Sequence, residues 1–288
     1  MKVVITGANG FIGTELAGQC AEGHIDAIKI DTTECSEPNY CRVDINSDHI
    51  AEYIHEGCDA IIHLAGLSRD GDCRDKGYDT FTINVMGTLN LMEAARKMKV
   101  KQFIFASSEW VYDSFRPDEI KDENSMIDIR NIQSEYALSK LVGEMNLRQK
   151  YSHGFCPVTI LRFGIVYGPR EQNWSAVESL FNSVRTKDLI TVGSLRTGRC
   201  FIHVRDICSA IIESIGLEGF NILNVQGDEF ITLKDIIECS KVILNQSPQI
   251  IENDPQNISA KNISNRRAKE VLNWQPRYDL KRGLQSLL

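Results

Sequence analysis

The apolar run Lys2–Thr6 ends directly in Gly7-Ala8-Asn9-Gly10-Phe11-Ile12-Gly13, and the stretch Phe11–Glu22 then reads as a helix. A strand, a glycine turn and a helix in that order predict the opening of a parallel sheet that binds a dinucleotide. Phosphate chemistry explains the placement. Gly7 permits the tight turn, Gly10 lets a pyrophosphate approach the backbone, and Gly13 lets the helix close on the strand. The helix start, with Phe11 and Ile12 as its first residues, offers N–H groups and a partial positive charge of about half a unit. Asp31, at the end of the next strand, stands at the right distance to accept hydrogen bonds from the adenosine ribose. Its charge repels an added 2'-phosphate, so NAD is expected rather than NADP.

The rest of the first half keeps this rhythm. Ala27–Asp31, Ala60–Ala65, Gln102–Ser107 and Val158–Arg162 read as strands, and Thr82–Met98 and Tyr136–Tyr151 carry apolar residues at helical spacing. Alternation of this kind predicts an α/β, doubly wound parallel sheet of the Rossmann type. After Gly168-Pro169 the pattern loosens into loops, a strand Phe201–Val204, a helix from Asp206, and short elements near Asn221–Val225. Helices at Leu233–Leu244 and Arg266–Leu272 follow. Two domains are expected: 1–168 for the dinucleotide and 169–288, a smaller α/β domain, for the substrate, with some later elements returning to the first.

Composition narrows the partners. A formal net charge of −7 argues against bulk attraction to nucleic acid or anionic lipid. No apolar run approaches the roughly 20 residues of a membrane helix. Met1-Lys2 leads straight into Val3-Val4-Ile5, and the following glycines belong to the turn, so the expectation is a cytoplasmic protein without a secretory signal. The nine cysteines are scattered and form no CxxC, and the histidines form no pair at metal-ligand spacing. Neither a disulfide framework nor a metal is therefore expected.

Catalysis is expected from Tyr136-Ala137-Leu138-Ser139-Lys140, which sets a phenol and an ammonium on one helix face. A free phenol with a pKa near 10 is a poor base at neutral pH. A neighbouring ammonium and the positive ring of an oxidised nicotinamide both favour the phenolate. Tyr136 then takes the proton of a substrate hydroxyl while hydride leaves the same carbon. Ser108, at the end of Phe103-Ile104-Phe105-Ala106-Ser107-Ser108, lies where strand ends face the ligand crevice and supplies a hydroxyl to the reacting oxygen.

The spacing Gly-x-x-Gly-x-x-Gly, with the serine, tyrosine and lysine, resembles the extended short-chain dehydrogenase/reductase family, and specifically its nucleotide-sugar epimerase and dehydratase branch. The resemblance runs through Asp44-Ile45 (the adenine contact), His63-Leu64-Ala65-Gly66 beside the cofactor, and Asn84 in Asn84-Val85-Met86-Gly87-Thr88. It continues through Leu161–Pro169, Arg199–Asp206 and Ala268–Pro276. It implies NAD contacts at Gly7, Gly10, Phe11, Ile12, Gly13, Asp31, Asp44, Ile45, Leu64, Ala65, Gly66, Asn84, Ser107, Tyr136 and Lys140. It also implies a homodimer through the helices around Thr88–Met98 and Tyr136–Lys150.

Within that branch, transient oxidation and epimerisation of a nucleotide sugar is the leading expectation. Dehydration at carbons 4 and 6 and ketosugar reduction or dehydrogenation are the alternatives. Dehydratases carry Asp-Glu where this chain has Glu109 and Trp110, and a tryptophan cannot act as a base. Ile165 stands where epimerases often have asparagine, and Asp113 where a glycine is usual. For substrate binding the candidates are Ser108, Glu109 and two arginines, Arg199 and Arg267, since a planar guanidinium can bond two phosphate oxygens at once. From another class, a non-catalytic dinucleotide sensor would be expected to have a broken glycine turn or Tyr-Lys pair; here both are intact.

Overall fold

A computed structural model describes residues 1–112, 114–116, 118–172 and 175–288. Asp113 lies outside the described residues. The chain divides into two compact units.

The first unit comprises Met1–Asp113, Met126–Arg162 and Cys208–Leu223. Its sheet is built from β1 (Lys2–Thr6), β2 (Asp26–Asp31), β3 (Tyr40–Arg42), β4 (Ala60–His63), β5 (Phe103–Ser108), β6 (Val158–Phe163) and β7 (Phe220–Val225). The order is β7-β6-β5-β4-β1-β2-β3. The pairs β1–β2, β1–β4, β2–β3 and β4–β5 run parallel. The chain therefore builds outward from β1 through β2 and β3, then crosses over to begin again at β4. That reversal is the switch point at which ligands bind in open α/β sheets. Thr6 is in register with both Ile30 and His63, so the C-terminal ends of three strands meet there.

The strands are β-branched and aromatic, and β4, β5 and β6 are buried along their whole length, as expected of strands covered on both faces. Helices α1 (Phe11–Glu22), α2 (Gly87–Lys97) and α3 (Glu135–Ser152) belong to the same unit. One of its apolar clusters includes Val4, Ile61, Leu91, Phe103, Phe105 and Leu147.

The second unit comprises Ser114–Ser125, Phe163–Ile207 and Asn224–Leu288. The two units interleave: beside the boundary expected at 168, with later elements returning, Ser114–Ser125 belongs to the second unit and Cys208–Leu223 to the first. Ile120–Lys121 is a strand in register with Asn262 and Ile263, which draws its segment into this unit. Residues from Cys208 return to the first unit, where Gly219 O accepts from Val158 N–H at 2.9 Å.

A helix stands at Ala176–Thr186, where the sequence pattern predicts loops. Val177, Leu180, Phe181 and Val184 form its buried stripe, and the Glu178 carboxylate accepts from the Ser175 N–H at 3.1 Å. The Ser-x-x-Glu signature of a helix start was present in the sequence. Among the described residues no helix is long and apolar enough to cross a membrane.

Candidate active site

The glycine turn is built around two close approaches. Gly7 has φ +71°, and a Cβ there would lie 2.7 Å from the Ala65 nitrogen. A Cβ at Gly13 would lie 2.2 Å from Gly7 O. The turn thus packs Gly7 against Leu64 and Ala65, and the first turn of α1 against Gly7 and Ala8. Gly10 brings no side chain to the helix start, whose first backbone bond runs from Thr14 N–H to Gly10 O at 2.9 Å.

Asp31 closes the far side: Oδ2 accepts from Asn9 N–H at 3.0 Å and Oδ1 from Thr32 N–H at 2.8 Å. A carboxylate bonded to the turn beside a helix start fits a dinucleotide, with the ribose on the acid and the pyrophosphate on the backbone. Asp44 Oδ1 accepts from Asn46 N–H at 2.8 Å. Buried Ile45 packs at Gly87, and its carbonyl accepts from Asn90 Nδ2 at 2.7 Å, which pins this segment to the start of α2.

A chain of hydroxyls joins the strand ends to Asn84. Thr88 Oγ1 donates to Asn84 O at 2.7 Å, which leaves it to accept from His63 Nε2 at 2.9 Å. His63 Nδ1 in turn accepts from Thr6 Oγ1 at 2.8 Å. This donor order fixes a neutral imidazole protonated on Nε2. Burial, and secondarily Lys140, push the His63 pKa down to about 3.

Asn84 lies in a π-helical segment, Thr82–Met86, where one continuous helix was expected. Single π-turns inside helices often mark functional sites. The side chain reaches three partners. Oδ1 accepts from Leu67 N–H at 2.7 Å, while Nδ2 donates to Leu67 O at 3.0 Å and to Ser139 Oγ at 2.9 Å. Ser139 Oγ donates to Tyr136 O at 2.8 Å, so Asn84 ties the cofactor-side loop to the first turn of α3. A Cβ at Gly66 would lie 2.8 Å from Asn84 Oδ1 and 3.8 Å from Lys140 Nζ, which puts Gly66 between them.

Buried, neutral His63 has a consequence for stability. The unfolded chain takes up its proton below the ordinary value of 6.5, and the folded chain takes it up only near 3. The unfolded state therefore binds more protons in this window. Stability is full above pH 6.5 and falls as the pH drops, with a limiting slope of ~1.4 kcal/mol per pH unit. Urea titrations at descending pH should show this decline, and His63→Gln should flatten it. A variant as steep as the wild type would locate the effect elsewhere.

Tyr136, Lys140 and Ser108 come together. Tyr136 and Lys140 are buried on one face of α3, and the ammonium lies 5.9 Å from the Tyr136 ring centroid. Ser134 starts the helix: its hydroxyl accepts from Ala137 N–H at 3.3 Å and donates to Asp70 at 2.6 Å. Burial pushes the Tyr136 phenol up to about 12, opposed by its hydrogen bond to Ser108. Burial pushes Lys140 down to about 8. The ammonium donates to Ala106 O at 2.9 Å. It thus holds the end of β5 while standing beside the Tyr136 ring.

Ser108 Oγ accepts from Trp110 N–H at 3.3 Å, and the Trp110 ring stands edge-on to Tyr136 at 6.4 Å. Glu109 is buried next to them.

The Ser107 side chain turns toward α3. Its hydroxyl donates to Glu144 Oε1 at 2.5 Å. Glu144 also accepts from Arg162 Nε at 2.9 Å and Nη2 at 2.6 Å, and Arg162 Nη1 donates to the Tyr112 hydroxyl at 2.7 Å. Sequence reasoning missed this network. Its one signal was Glu144, four residues beyond Lys140 and so on the same helix face.

Of the expected arginines, both in the second unit, Arg199 donates from Nη1 to Ser259 O at 2.5 Å and from Nη2 to Ser259 Oγ at 2.9 Å. Arg267 is exposed. It acts on Glu123, whose carboxyl is raised by burial and drawn down in part by the Asn224 N–H and Arg267.

Comparison with known proteins identifies the family. Residues 3–223 match the model of the NAD dependent epimerase/dehydratase family. The chain is 26% identical over 302 residues to a putative UDP-glucose 4-epimerase of Methanocaldococcus jannaschii, covering 99% of this chain and 97% of that one. It is 26% identical over 316 residues to a UDP-N-acetyl-alpha-D-glucosaminuronate decarboxylase of Bacillus cytotoxicus, covering 100% and 96%. In fold it is similar to MoeE5, solved in complex with UDP-glucuronic acid and NAD, with a TM-score of 0.87, 23% identity, and coverage of 100% and 97%. The chain is an enzyme and belongs to the NAD-dependent epimerase/dehydratase family.

Proposed function

We propose that the protein is a cytoplasmic, NAD-dependent epimerase of a nucleotide sugar, with UDP-sugars the first class to test. The observation that carries this reading is the meeting of Tyr136 with Ser108 beside Lys140, at the strand ends that also hold the glycine turn. The glycine turn and Asp31 are suited to hold NAD, which when bound supplies a hydride acceptor and donor and a positive charge near the phenol.

Tyr136 takes the proton of a sugar hydroxyl and returns it after the ketosugar has turned. Ser108 holds the reacting oxygen in line. Lys140 holds the strand end and contributes positive charge. Net redox is zero, so the cofactor stays bound.

Trp110 favours epimerisation over dehydration. Its indole stands against Tyr136, where dehydration calls for a second carboxylate. Asp31 favours NAD, and Asp31→Ala is expected to narrow the preference for NAD over NADP in binding titrations. An unchanged ratio would remove Asp31 from that role. For the substrate pyrophosphate we keep Arg199, and less directly Arg267, as partners.

A homodimer through α2 and α3 is supported by an apolar stripe: Met86, Leu138 and Met145 are exposed, with Val142 half-buried between the last two. Light scattering should give a dimer for the wild type and a monomer for Leu138→Arg. A wild-type monomer at micromolar concentration would refute it.

The test is a panel of UDP- and other nucleotide sugars, with and without added NAD, followed by chromatography. An isomer formed without added NAD supports epimerisation. Loss of water, loss of carbon dioxide or stoichiometric reduced cofactor would instead assign dehydration, decarboxylation or net redox chemistry.

A further inference from the structure

Glu144 is fully buried and Arg162 is 3% exposed. A buried ion pair offers little net stability over well-packed apolar side chains, so its presence calls for another reason. Its partners supply one. Glu144 holds Ser107 and Arg162 holds Tyr112, and these two residues bracket Ser108, Glu109, Trp110 and Val111. Glu144 also follows Tyr136 and Lys140 at successive four-residue steps of α3. The helix face that presents the phenol therefore also grips the segment that presents the serine.

We propose that the Glu144–Arg162 pair is a positioning device that sets Ser108 against Tyr136 by clamping both ends of the segment Ser107–Tyr112. The inference rests on the reading of Ser108 and Tyr136 as the catalytic pair. Arg162 reaches its two partners through different edges of one planar guanidinium: Nε and Nη2 form the fork to Glu144, and Nη1 donates to Tyr112. Between the clamped ends, the Ser108 hydroxyl is bonded to the Trp110 N–H, and Glu109 O accepts from Tyr112 N–H at 2.9 Å. A shift at either end is transmitted to Ser108 through this short turn, and misplacement by about 1 Å in an active site costs on the order of 100-fold in rate.

Glu144→Gln removes a buried charge and risks misfolding, so the neutral ends provide the test. Ser107→Ala, Tyr112→Phe and the conservative Ser107→Thr are compared with the wild type in the full chain loaded with NAD. The readouts are amide exchange at Trp110 and Tyr112, NAD affinity, and kcat and KM on UDP-glucose and UDP-glucuronic acid.

The expected result is exchange at Trp110 and Tyr112 faster by ~10-fold or more in Ser107→Ala and Tyr112→Phe, equivalent to ~1.4 kcal/mol of local opening. kcat should fall by a similar factor, with KM and NAD affinity held within about 2-fold, and Ser107→Thr should restore both readouts. Wild-type exchange and kcat in both Ser107→Ala and Tyr112→Phe would overturn the clamp, as would a Ser107→Thr that fails to restore them. If Ser108→Ala and Tyr136→Phe also turn over the sugars like the wild type, or if the wild type converts no nucleotide sugar of the panel, the catalytic reading beneath has failed instead. Amide exchange then decides the clamp alone.

Discussion

Tyr136→Phe is expected to lower kcat on the nucleotide sugar by ~10²–10⁴-fold, the range for removing a positioned general acid–base group. The ring stays, so its packing against Trp110 and its place on α3 are preserved, and NAD should bind as before. In the chain alone burial holds the phenol near 12, and the Ser108 bond only partly offsets this. The phenol is therefore protonated at neutral pH until further positive charge arrives, which links base strength to cofactor occupancy. Ser108→Ala removes the one bond that lowers the phenol and should also slow the reaction. Steady-state kinetics with a parallel NAD titration check both variants. Loss of NAD binding in Tyr136→Phe would mean that the residue holds the cofactor rather than the proton.

Gly13→Ala should be the most damaging single methyl in the first unit. The added Cβ falls 2.2 Å from Gly7 O and 2.7 Å from Ala8 Cα, all backbone that cannot rotate away. Overpacking of this kind costs ~3 kcal/mol, equivalent to roughly 100-fold in NAD affinity if the turn itself yields. Gly18→Ala, on the same helix, is the control. Nothing lies within 4 Å of its added Cβ, and alanine in a helix interior is favoured over glycine by about 0.5–1 kcal/mol. Thermal melts and NAD titrations should therefore separate the two variants: Gly13→Ala lowers both Tm and NAD affinity, and Gly18→Ala raises Tm with unchanged affinity.

The first unit was legible because its signals are local. Lys2–Thr6 and Phe11–Glu22 have the same limits in the sequence reading and in the structure, since a strand feeding a glycine turn and a helix leaves little freedom. Tyr136 and Lys140 were legible for the same reason, as helical spacing alone puts them on one face. What escaped depends on contacts between distant segments. The strand Ile120–Lys121 exists through pairing with residues beyond 260, and two residues carry no periodicity. The π-turn around Asn84 relies on the asparagine's bonds to Leu67 and Ser139. The Ser107–Glu144–Arg162–Tyr112 network joins a strand end, a helix and a neighbouring strand, and the helical spacing of Glu144 from Lys140 says nothing of its partners. Ser107 enters the expected cofactor contacts through the family resemblance alone, and the sequence says nothing of where its side chain turns. A strand alternates its side chains, and Ser107 Oγ faces Glu144 while Ser108 meets the phenol.

Conversion of the nucleotide sugar in deuterated water tests the central claim most directly. If hydride leaves a sugar carbon for a resident NAD and returns to that same carbon, the epimer contains no carbon-bound deuterium, forms without added NAD, and fails to form with Tyr136→Phe. Deuterium on the inverted carbon, or an equal yield of epimer from Tyr136→Phe, would contradict it.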